Sequence, residues 1–130
     1  MAGLAFQEHH FEIGRHEING GNTPWNTLAV WDVRILSMIG FLPVSDGLVD
    51  GVEAGVEEVV TISLLQHLRP NEARAILVRL KGVSDAWPTL WEDPGRAEWH
   101  RQKMASKVSR PATQMTALGL KYGTVEHLSE

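Results

Sequence analysis

The chain has 130 residues, 43% hydrophobic and 22% charged, the size and balance of one globular domain with a core of its own. It has no cysteine, which excludes disulfides, thiolate catalysis and cysteine metal sites. The net charge of −4 is unevenly spread: residues 1–68 set two basic side chains against nine acidic ones, and residues 69–130 set ten against seven. So small a basic excess argues against general nucleic-acid binding.

In chain order, MAGLAFQEHH has neither a basic leader nor a long apolar run, and no window nears the roughly 18–20 apolar residues of a membrane span. The expectation is therefore a cytoplasmic protein without signal peptide or membrane segment. Residues 1–22 read as an N-terminal arm and polar loop. Within them AFQEHHFEI (5–13) is a weak strand or an ordered arm, since its polar centre spoils the alternation. NGGNTP (19–24) is a turn by its Gly, Asn and Pro content. WNTLAV (25–30) reads as a short buried strand and WDVRILSMIG (31–40) as a helix stopped by Gly40, with a single helix from Pro24 to Ile39 as the rival.

Residues 42–55 are loop, and Asp50 followed by Glu53 has capping-box spacing. Val56, Val59, Val60, Ser63, Leu64 and Leu68 then form a helical stripe ended by Arg69-Pro70. Ile62 and Leu65 fall off that stripe, so this helix is expected to be covered on more than one side. ARAILVRL (73–80) is a largely buried strand and GVSDAWPTLWED (82–93) a loop. Asp93-Pro94 caps and opens a helical segment over 94–118 with a break at Pro111 and a stop near Gly119. A last strand is expected around Thr124–Leu128. The whole predicts an α/β fold: a single small domain, with a short mixed sheet packed by three or four helices.

The candidate chemistry is spread over this frame. His9, His10 and His16 alternate faces on a strand and show no HExxH spacing, so no metal site is expected. There is no Gly-rich dinucleotide fingerprint, phosphate loop or nucleophile elbow. The basic residues Arg96, Arg101, Lys103, Lys107 and Arg110, opposed locally only by Glu98, can receive a phosphate, with a solvated helix face as the plain alternative. Asp46 sits in a Ser-Asp-Gly loop. Glu57 and Glu58 open an otherwise apolar helix; they either answer the helix dipole or present a general base at a pocket rim.

NTLAVWDVRILSMIGF, then SDG, then GVEEVVTISLLQHL resembles the acceptor-side half of inverting GT-A glycosyltransferases of family 2, over roughly residues 22–68. Ile35, Leu36, Ile39, Gly40 and Phe41 carry the first element. Glu57-Glu58 stand where that family has an acidic pair that serves as base. The chain has one glycine before Phe41 instead of two, Glu58 replaces an aspartate, and the Asp-x-Asp donor half is absent. The resemblance implies a sugar or nucleotide-sugar ligand and catalytic Glu57, Glu58 and Asp46. It implies substrate contacts from Asn22, Trp25, Asn26, Thr27, Trp31, Trp87 and Trp91, with phosphate held by His100, Arg101, Lys103 and Lys107. It implies inactivity without the donor half, and a divalent metal only where a complementary donor-binding chain supplies that half. The alternative is a non-enzymatic homo-oligomeric or partner-binding module. In it, the tryptophans and apolar helix form an interface and the asparagines bond their own turn.

Overall fold

A computed structural model describes residues 1–83 and 91–130. The architecture is α/β: five strands form one mixed sheet in the order β2-β5-β4-β1-β3. β1 (Ala2–Leu4), β4 (Ile76–Arg79) and β5 (Thr124–Ser129) run parallel in the middle, while β2 (Gly14–Glu17) and β3 (Ala29–Val30) close the edges antiparallel. Parallel neighbours need long crossovers. The link from β1 to β4 carries the single-turn α1 (Val33–Leu36) and the longer α2 (Glu57–Leu68); the link from β4 to β5 carries α3 (Pro94–Ala105) and α4 (Arg110–Leu118).

The core lies between the sheet and α2. Val59, Val60 and Ile62 meet Ala5, Ile18, Ala75, Leu77 and Val125, and Met115 of α4 closes one side. α2 is buried on most of its surface, since Thr61, Ser63 and Leu65 are buried as well; Leu68, on the expected stripe, is exposed. The tail strand of the sequence reading is therefore an inner strand, paired on both sides.

Three expectations are corrected. Strand structure lies over Ala2–Leu4, ahead of the segment 5–13, which instead turns at residues 7–9 once Ala5 and Phe6 are buried. The segment 25–30 divides into a 3-10 turn over Asn26–Leu28 and a two-residue edge strand whose Val30 faces solvent. The Asp50/Glu53 capping box does not form. Glu53 is tied instead to α4, its N–H donating to Thr113 Oγ1 at 2.9 Å and its carbonyl accepting from Gln114 Nε2 at 2.7 Å. The chain then enters α2 through Gly55 and Val56, both left-handed with φ of 83° and 58°. A β-branched residue in that region is strained, and Val56 is held there by its burial in the core.

Of the other helix signals, the cap at Asp93 and the stop at Gly119 are realised. The break expected at Pro111 falls earlier, between Ala105 and Arg110, with Pro111 taken into the first turn of α4, where its missing N–H costs nothing, and the helix expected over 31–40 is confined to Val33–Leu36. Asp93 accepts from the Arg96 N–H and Pro94 sits in the first turn of α3. Gly119, at φ 59°, ends α4.

Candidate functional site

The asparagine side chains of the loop NGGNTP bond nearby backbone, while the Thr23 hydroxyl is buried without a hydrogen-bond partner among the described residues. Asn19 Oδ1 accepts from the N–H groups of Gly21 and Asn22, and Asn22 Oδ1 accepts from the Asn19 N–H. Asn22 Nδ2 donates to the Glu17 carbonyl, so both polar atoms of this buried side chain are engaged within the fold. What the loop positions is Trp25. The indole N–H donates to the Gly20 carbonyl at 2.9 Å, and the ring stacks on His9 at 3.7 Å. Gly20 is required by contact: a Cβ there would stand 1.7 Å from the Lys107 carbonyl oxygen. That approach fixes the backbone of Lys107, whose Nζ lies 3.4 Å above the Trp25 ring, a cation–π contact.

A cleft of about 460 Å³ opens above this pair. Trp25, Thr27, Phe6 and Glu8 line it from one side, and Trp91, Trp99, His100, Lys103 and Lys107 from the other. Phe6 and Glu8 follow the carboxyl end of β1, and Trp91 belongs to the crossover that leaves β4. The cleft thus lies where open α/β sheets receive ligands. Trp99, Lys103 and Lys107 recur every four residues, along and just beyond α3, and Lys103 Nζ lies 4.9 Å over the Trp99 ring. His100 Nε2 is buried without a hydrogen-bond partner among the described residues.

Charge is tuned by burial here. Removal from water lowers the Lys107 ammonium to about 8, against the pull of Glu58 and with help from Arg110 and Lys103. Burial raises the Glu58 carboxyl, against the hydrogen bond from the Asn26 N–H. His9 is lowered to about 4, chiefly by burial. Its Nδ1 accepts from the Phe6 N–H, which leaves Nε2 to carry the proton toward the Thr23 carbonyl.

Of the site residues expected from sequence, Trp25, Thr27, Trp91, His100, Lys103 and Lys107 meet in the cleft. The others stand elsewhere. Glu58 is buried, with Oε1 accepting from the Asn26 N–H at 2.7 Å, and Glu57 accepts from Asn26 Nδ2 at 2.9 Å. Asn26 Oδ1 accepts from the Trp31 indole N–H, and Trp31 lines a separate groove with Ile35 and Leu36. Asp46 is exposed where the 3-10 turn Pro43–Ser45 ends. Arg101 is exposed and paired with Glu98. Trp87 lies outside the described residues. Sequence reasoning missed Phe6, Glu8 and Trp99; only the spacing of Trp99 with Lys103 and Lys107 carried a signal. Among the described residues no cluster of His, Asp and Glu has the makings of a metal site, and no helix is long and apolar enough to cross a membrane. No protein-family model, curated protein or solved structure matches the chain.

Proposed function

We propose that the protein binds a sugar nucleotide or sugar phosphate in the cleft between Trp25 and α3, as a glycosyltransferase-like, acceptor-side domain. The observation that carries this reading is the joint presence of aromatic faces and two lysines around one cleft. Indole rings offer stacking faces to a base or to the apolar face of a sugar. Lys103 and Lys107 offer the charge a phosphate requires, and an entering anion draws them off the rings they now cover. Glu8 is the carboxylate that lines the cleft. Glu57 and Glu58 hold the Asn26 segment in place, so the reading is one of binding, with glycosyl transfer left to a chain that supplies the donor half.

The non-enzymatic interaction module is favoured by a different observation, the exposure of Val30, Val33, Phe41 and Leu48. Titration of the intrinsic tryptophan fluorescence with uridine, guanosine and adenosine diphosphate sugars separates the two readings. Saturable quenching that weakens at least tenfold in Lys103→Ala/Lys107→Ala supports the binding domain. Absence of any response up to millimolar ligand removes that reading in favour of the module.

A further inference from the structure

The amine of Lys107 is built as more than a charge. Its backbone is clamped against Gly20, its side chain is half-buried, and its Nζ is held over an indole ring that is itself tied down through Nε1. Among the described residues no carboxylate lies within ion-pair distance of it, although Glu58 and Glu8 are near enough to act on it electrostatically. Lys103 and Arg110 oppose a further positive charge from the same side of the chain. A desolvated amine with cationic neighbours and no ion-pair partner is the arrangement that turns lysine into a nucleophile. Nothing in the anion-binding reading requires such an arrangement, since the exposed Lys103 would serve a phosphate as well.

We propose that Lys107 is a carbonyl-reactive lysine, whose Nζ condenses with a small aldehyde or ketone entering the cleft, the open-chain form of a reducing sugar included. The nitrogen lone pair attacks the carbonyl carbon and a C–N bond forms. The carbonyl oxygen then leaves as water with the two amine protons, giving a neutral imine. The indole face of Trp25 favours the ammonium and so works against the reaction. Burial acts the other way, with Arg110 and Lys103 adding to it and Glu58 and Glu8 subtracting from it; these contributions lower the ammonium to about 8, where about a tenth of the amine is neutral at pH 7. The inference needs the cleft but not the nucleotide-sugar reading of it.

The chain has four lysines, Lys81, Lys103, Lys107 and Lys121, which serve as controls for one another. The unmodified protein is treated at pH 7 with limiting formaldehyde and cyanoborohydride, which reduces each imine to a methylamine, and methylation at each lysine is followed by peptide mass spectrometry. The expected result is methylation of Lys107 at least tenfold faster than of the other three, with the advantage fading as the pH approaches 10.5. Equal rates at all four, or Lys107 as the slowest, overturn the proposal. A protein that labels Lys107 selectively but binds no sugar nucleotide retains this inference and loses the previous one. One that binds the nucleotide but labels evenly does the reverse.

Discussion

At the scale of single residues, the cleft depends on contacts that leave no slack. Gly20→Ala would drive a methyl group into the Lys107 carbonyl, backbone against backbone. Urea unfolding should show a loss of about 2–3 kcal/mol, the usual cost of overpacking where neither partner can rotate away. Glu58 separates shape from charge. A glutamine can still accept from the Asn26 N–H, so Glu58→Gln should stay within about 1 kcal/mol of the unchanged protein, whereas Glu58→Ala orphans that N–H and should cost about 1–3 kcal/mol in the same measurement. His9 makes stability depend on pH. Its folded value lies below the unfolded 6.5, near 4, so the unfolded chain takes up the proton first as pH falls. Stability from His9 is therefore complete above about 6.5 and is lost between there and about 4, by about 3 kcal/mol at most. Glu58, raised by burial, acts in the opposite sense, since its ionisation at higher pH costs the folded state. Unfolding free energies of the protein and of His9→Gln at pH 7 and pH 4.5 isolate the first effect: the variant should lose much of the pH dependence.

At the scale of elements, α3 is the part most easily altered without disturbing the core, because none of its residues is buried. Its N-cap is the Asp93 carboxylate, and Asp93→Ala should cost about 1 kcal/mol in thermal unfolding. The same change should weaken ligand binding if the cleft is occupied, since it loosens the helix that carries Trp99 and Lys103. Arg101→Ala tests the opposite face. The side chain is exposed and its partner Glu98 is on the same helix, so stability should move by no more than about 0.5 kcal/mol and ligand affinity should not change. A drop in affinity there would place the anion on the outer face of α3. α2 differs in kind. With Val59, Val60, Thr61 and Ser63 all buried, it anchors the fold, and only its last two residues, His67 and Leu68, are exposed.

At the scale of the whole molecule, what could be read from the chain alone was whatever depends on neighbours in sequence. Asp93-Pro94 and Gly119 mark helix ends because caps satisfy backbone groups within one turn. The turn at 19–24 follows from residues that bond their own backbone, and the valine-rich stripe from 56 onward announces a buried helix. The α/β class followed from the same local signals. Pairing across the sheet is different, because it is settled by partners far away in sequence. Residues Ala2–Leu4 are too short to show a period, and they become a strand only through Val30 on one side and Ile76–Val78 on the other. The segment Gly14–Glu17 is polar, and it is a strand because β5 needs a neighbour at that edge. The site followed the same division. Trp91 and the basic residues of 96–107 were visible as composition, whereas Trp99 was not singled out. That Lys107 rests on Trp25 rather than pairing with solvent, and that Glu58 turns inward to hold Asn26, was decided by tertiary contact. Residues dozens of positions apart meet there only because the sheet brings the end of β1 and the crossover from β4 to the same edge.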